Sequence, residues 1–152
     1  MKECKCVFSI FGATGDLTNR KLLPAFYFME RERQLKEGFA IVCIARKKKS
    51  QEQYKKEAAE AVRKFSRIQV TDDILQKLLK RIHYCQLEFS DKASYEELRG
   101  HLEKISGEKG SHCERIFYLA VPYHLIGTIV DKLKSVGLAE RHSEKRPYCR
   151  IM

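Results

Sequence analysis

An α/β chain, with an open sheet of parallel strands and helices on both faces, is predicted by three observations. Short apolar runs of strand length alternate with longer segments of helical period. The second run, Phe39-Ala-Ile-Val-Cys-Ile-Ala45, is apolar at every position, as expected of a parallel strand covered on both sides. The first run turns straight into a glycine-bearing loop, Gly12-Ala-Thr-Gly15, with a helical pattern behind it.

Taken in order, Val7, Phe8, Ile10 and Phe11 read as the first strand. Leu17, Leu22, Leu23, Ala25 and Phe26 recur at helical spacing and place a helix over about 19–32. The second strand is Phe39–Ala45. A helix follows near 51–65, opened by Ser50 and Gln53 as a capping box, and another near 72–81. His83-Tyr-Cys-Gln-Leu87 is the third strand. Ser94 and Glu97 form a second capping box, opening a helix that fades before Gly107. Arg115–Val121 is the fourth strand, stopped by Pro122. Leu125, Ile129, Leu133 and Val136 define a last helix with Gly137 at its C-cap. Cys149-Arg-Ile-Met152 reads as the opening of a fifth strand: either the chain is cut as that strand begins, or a small sheet closes on a short last strand. The stretches 107–111 and 141–145 read as flexible. There is no internal repeat, and 1–152 is expected to form one domain.

Composition narrows the function classes. No signal peptide and no apolar stretch of membrane-spanning length is present in these 152 residues. The six cysteines do not pair by spacing, and no Cys-x-x-Cys or Cys/His cluster suggests a metal. Cys6, Cys43 and Cys85 fall in apolar strands, where a free thiol acts as a small hydrophobe. The thiols read as reduced and the chain as cytoplasmic. A net charge of +10 raises nucleic acid as a partner. The cations, however, are spread over helical segments and interleaved with Glu, as in Lys55-Lys-Glu57, with no aromatic–basic stacking motif. Neither nucleic acid nor membrane is expected. A positive field also attracts phosphorylated small molecules, and it also suits an acidic partner segment outside this chain.

A strand, a glycine loop and a helix N-terminus together suit a phosphate or pyrophosphate. Glycines let the backbone turn tightly and leave no side chain between it and a ligand. Gly12-x-x-Gly15 falls short of the full G-x-G-x-x-G pattern, so a purely structural turn stands beside the cofactor loop. Asp16 has a structural role open to it, capping the following helix through its carboxylate. The second strand ends in Arg46-Lys-Lys-Lys49 with no acid among them. In a dinucleotide fold that point meets the adenosine ribose, where an acid suits NAD and an Arg suits the 2′-phosphate of NADP. A solvated basic turn is the competing reading; position favours NADP.

The residues Phe11-Gly-Ala-Thr-Gly-Asp-Leu-Thr-Asn-Arg-Lys-Leu-Leu-Pro24 resemble the N-terminal signature of the glucose-6-phosphate dehydrogenase family. Ile41-Val-Cys-Ile-Ala-Arg46 is similar to that family's second strand, and Arg115-Ile-Phe-Tyr-Leu-Ala-Val-Pro122 to a later one. The similarity runs from about residue 6 to residue 152. It implies a Rossmann-like, doubly wound coenzyme domain, cut at the start of the fifth strand and binding NADP. Gly12, Ala13, Thr14, Gly15, Asp16 and Leu17 would form the pyrophosphate loop. Arg46 would hold the 2′-phosphate, and Ala120, Val121 and Pro122 would line the nicotinamide side. Lys21 matches a family lysine at the boundary of cofactor and substrate; a surface helix residue is the alternative.

The same resemblance implies a whole enzyme that oxidises glucose 6-phosphate to 6-phosphogluconolactone, in the pentose phosphate pathway, by hydride transfer to NADP. The family's Glu-Lys-Pro lysine and the histidine base of its His-Tyr-Leu-Gly-Lys motif would lie beyond Met152. No catalytic residue is therefore expected within 1–152, the sugar phosphate would bind only with that further domain, and the chain alone would be inactive. His124, just after Pro122, is the one histidine near the expected cleft, with a polar helix-start residue as the alternative reading. Tyr123 stands where the family usually has a second proline. An apolar surface left by the missing domain would favour self-association. Two other readings stay open. One is a free-standing nucleotide-binding or regulatory module; the other, a reductase-like loop, is disfavoured because Thr18 takes the place of its last glycine.

Overall fold

The computed structural model describes residues 6–106, 113–139 and 149–152. Five strands, β1 (Cys6–Phe11), β2 (Phe39–Ala45), β3 (Ile82–Gln86), β4 (Glu114–Leu119) and β5 (Cys149–Ile151), form one sheet in the order β3-β2-β1-β4-β5. Every neighbouring pair is parallel. The fold is Rossmann-like. β1 lies at the point where the strand order reverses, with Phe11 level with Ile44 of β2 on one side and Leu119 of β4 on the other. In open parallel sheets ligands bind beyond the strand C-termini at such a point.

Among the described residues, five α-helices connect the strands: α1 (Leu23–Arg31), α2 (Gln51–Phe65), α3 (Asp72–Arg81), α4 (Lys92–Ser106) and α5 (Ile126–Ser135). A π-helical turn, Thr18–Leu22, leads into α1. Alternate strand residues feed two cores. Ile10, Ile41 and Cys43 pack with Leu23, Phe26 and Tyr27 of α1, Tyr54 and Val62 of α2, and Leu75 and Leu78 of α3. Val7, Phe11, Val42 and Ile44 pack on the other face with Tyr95, Leu98 and Leu102 of α4 and Ile129 and Leu133 of α5. Each fully buried side chain of this size contributes about 1.5–3 kcal/mol. At the lower edge, Arg81 ties α3 to α1 and the β2 turn. Its Nε donates to Glu30 at 2.6 Å, and its other nitrogens donate to the carbonyls of Leu35, Lys36 and Phe39.

The expected elements are present, with differences at their ends. Ser50 caps α2 as read, accepting from the Gln53 N–H at 3.1 Å. The second box is corrected. Ser94 lies inside α4, and the cap is Asp91, whose carboxylate accepts from the Ala93 N–H and the Ser94 hydroxyl. The Asp91 carboxylate thus serves two donors at once. Asp16 is also corrected: it sits in the first helical turn and pairs with Arg20, i to i+4, at 2.6 Å instead of capping. β4 ends at Leu119, so Ala120 and Val121 lie just past the strand. Gly137 has φ +74°, in the left-handed region, one residue after the α5 cap. Cys149–Ile151 does form a fifth strand. The stretches 107–111 and 141–145, with Cys4, His112 and His142, lie outside the described residues.

Candidate dinucleotide site

The chain leaves β1 through Gly12, whose φ of +90° is a conformation L side chains rarely adopt. A Cβ there would overlap the Ala120 carbonyl oxygen and stand 2.9 Å from its carbon. Gly12 is thus the only residue type that lets β1 turn this close to the end of β4. The loop is then tied down from three sides. The Gly12 and Ala13 N–H groups both donate to the Ile44 carbonyl of β2 at 3.0 Å. The Gly15 N–H donates to the Gly12 carbonyl at 3.0 Å, and a Cβ at Gly15 would come within 3.1 Å of that oxygen. Thr18 is fully buried, and its hydroxyl donates to the same carbonyl at 3.0 Å. Thr18, which replaces a glycine in the alternative reductase pattern, here closes the loop.

From below, the Tyr54 hydroxyl of α2 donates to the Ala13 carbonyl at 2.8 Å. Burial pushes the Tyr54 hydroxyl far above the ordinary phenol range, and the Cys43 thiol beside it up to about 12. Both stay protonated and serve as fixed hydrogen-bonding groups. The loop leads directly into the helix over Asp16 and Leu17, and the first N–H groups of a helix lack intrahelical acceptors, the arrangement that receives a phosphate.

The sequence-derived residues fall into three groups. Gly12, Ala13, Thr14, Gly15, Asp16 and Leu17 form the loop and helix start, with Ala13 buried and Asp16 and Leu17 exposed. Ala120 and Val121 stand against Gly12, the Val121 Cγ1 3.3 Å from a Cβ built there, and Pro122 follows, exposed. Arg46 begins the exposed basic turn two residues past Ile44. Its guanidinium lies 5.8 Å from the Phe89 ring centroid, and its carbonyl accepts from the Gln86 amide at 3.2 Å. Lys47 and Lys48 are exposed, whereas Lys49 is ion-paired with Glu57 of α2. Lys21 lines a groove of about 400 Å³ with Arg20, Phe28, Phe65 and Arg67. His124 is exposed in the 3-10 turn Tyr123–Leu125, as is Tyr123.

Sequence reasoning missed Tyr54, Tyr84, Gln51 and Phe89. A signal for Tyr54 was available: with Ala58, Ala61 and Val62 it makes the buried stripe of α2, and a buried phenol needs an acceptor. Among the described residues no group of three His, Cys, Asp or Glu side chains could hold a metal, and no helix is long and apolar enough to cross a membrane.

A reversing parallel sheet with a glycine loop and a helix start at its switch point defines a dinucleotide-binding domain. A family model described as "Glucose-6-phosphate dehydrogenase, NAD binding domain" matches residues 9–149, and the chain belongs to the glucose-6-phosphate dehydrogenase family. It is 38% identical over 149 residues to a glucose-6-phosphate 1-dehydrogenase of Chlamydia muridarum, covering 97% of this chain and 29% of that protein. It is 32% identical over 140 residues to that of Leuconostoc mesenteroides, covering 91% and 28%. Among solved structures, a glucose-6-phosphate dehydrogenase in complex with its substrate glucose 6-phosphate superposes with a TM-score of 0.81. The two are 28% identical, and 99% of this chain and 30% of that one are covered. The chain thus spans about three tenths of the length of the relatives it matches.

Proposed function

We propose that this chain is the NADP-binding domain of a glucose-6-phosphate 1-dehydrogenase-like oxidoreductase. The observation that carries the proposal is the placement of Arg46. It follows the strand whose Ile44 carbonyl anchors the glycine loop, so a dinucleotide lying on that loop extends its adenosine ribose toward a guanidinium and two exposed ammonium groups. No carboxylate occupies positions 46–49 to hold the free hydroxyls of NAD. The positions fit the cofactor. Gly12 and Gly15 keep Cβ atoms out of the cradle, and Arg46 is exposed with its backbone fixed.

The bound cofactor would supply the hydride acceptor. This chain's own residues bind and orient: the loop Gly12–Leu17 takes the pyrophosphate, Arg46 with Lys47 and Lys48 the 2′-phosphate, and Ala120, Val121 and Pro122 the nicotinamide side. Lys21 is the residue proposed to stand next to substrate. No residue of this chain is assigned the base that takes the sugar hydroxyl proton. In the whole protein the substrate would be glucose 6-phosphate and the product its lactone, in the pentose phosphate pathway and in the cytoplasm. The chain by itself would bind cofactor without turnover.

The test is Arg46→Ala titrated with both dinucleotides. Losing a charged, two-pronged contact to phosphate costs about 2 kcal/mol, about 30-fold in affinity. That loss is expected for NADP, with NAD changed less than about twofold. Equal losses for the two would remove the 2′-phosphate assignment.

A further inference from the structure

Two stacked tyrosines bind the two halves of this site together. Tyr54 of α2 and Tyr84 of β3 are stacked, with ring centroids 4.7 Å apart and an interplanar angle of 22°. Tyr54 donates to the Ala13 carbonyl in the glycine loop. Tyr84 donates to the Lys47 carbonyl in the basic turn. A side-chain amide fixes the pair from beside it: Gln51 Oε1 accepts from the Tyr84 N–H at 2.7 Å, and Gln51 Nε2 donates to the Tyr84 carbonyl. Glu57, one turn after Tyr54, holds Lys49 at the end of the same basic turn.

We propose that Tyr54 and Tyr84 are positioning residues that set the distance between the pyrophosphate loop and the 2′-phosphate turn, and so help to set the preference between the two dinucleotides. The inference rests on the reading of the site given above. Its physical basis is that a stacked pair of buried rings is stiff, whereas the exposed cations at 46–48 are long, flexible side chains. Each hydroxyl is spent on one loop, so removing each has a different signature. The pyrophosphate is common to NADP and NAD; the 2′-phosphate is not.

The experiment is calorimetric titration of the full chain with NADP and with NAD, in the wild type, Tyr54→Phe, Tyr84→Phe and Tyr54→Leu. Removing one neutral hydrogen bond corresponds to about a fivefold loss. Tyr54→Phe is expected to weaken both dinucleotides by about that factor and leave their ratio unchanged. Tyr84→Phe is expected to weaken NADP by about that factor and NAD less than about twofold, narrowing the ratio. Tyr54→Leu, which removes the stack, is expected to narrow the ratio as well, an effect general destabilisation would not produce. A wild type that takes up neither dinucleotide overturns the functional reading and this inference with it. A wild type that prefers NADP, with both Phe variants titrating like it, overturns the inference alone.

Discussion

β2 and β4 flank the same strand and are both internal to the sheet, yet β2 is buried at six of its seven residues and β4 at one of its six. The difference lies in what covers them. β2 has the α1–α3 core on one face and the α4–α5 core on the other. On β4, Phe117 enters the α4–α5 core, but Ile116 and Tyr118 on the opposite face stay half-buried, with Tyr118 resting on the Phe8 ring at 6.0 Å. The half of the sheet that carries the glycine loop and Arg46 is therefore packed and cross-linked by hydrogen bonds. The half beyond Ala120, where the nicotinamide side is proposed to lie, is only partly covered among the described residues. Parts of a site that grip phosphates need a rigid frame; the apolar strip on β4 is a surface another layer of protein can cover.

Matched truncations in the two strands test the difference in cover. Ile41 of β2 is fully buried and is level with Phe8, whose other neighbour is Ile116 of β4. Ile41→Ala is expected to cost about 4 kcal/mol in urea unfolding and Ile116→Ala about 1 kcal/mol. Equal costs would show that β4 is as well covered as β2. Next in size is Gly12→Ala, in which the left-handed backbone and the Ala120 carbonyl both oppose a side chain. A loss of about 3 kcal/mol is expected, with dinucleotide binding abolished in the protein that still folds. A well-folded Gly12→Ala chain with intact binding would contradict the close approach of β1 and β4.

The smallest expected effect is on pH dependence. Burial, and then the Lys55 ammonium, hold the His83 imidazole of β3 below its ordinary 6.5. As pH falls through 6.5 the unfolded chain takes up a proton that the folded chain resists, so stability declines on acidification. His83→Gln is expected to flatten the melting-temperature profile between about pH 7.5 and about pH 5.5. An unchanged slope would mean that His83 titrates freely.

The fold was legible because apolar runs and helical periods alternate cleanly; β2 was read with its true ends since every residue in it is apolar. The glycine loop was legible for the same reason Gly12 is irreplaceable: a residue without Cβ at the end of a strand marks a close approach. The errors arose where polar side chains compete for the same donors. Asp91 holds the cap position ahead of Ser94, and Asp16, already inside the first turn, pairs with Arg20. The Tyr54–Tyr84 brace was illegible because its partners are 30 residues apart and meet only when β3 pairs with β2.

If this half of the sheet is a frame for NADP, the chain discriminates between the two dinucleotides. Calorimetric titration of the wild-type chain with NADP and, separately, with NAD tests it most directly. Saturable binding of NADP, at least about tenfold tighter than NAD, is the result expected from a guanidinium at the 2′-phosphate. Tighter binding of NAD, or uptake of neither, would contradict it.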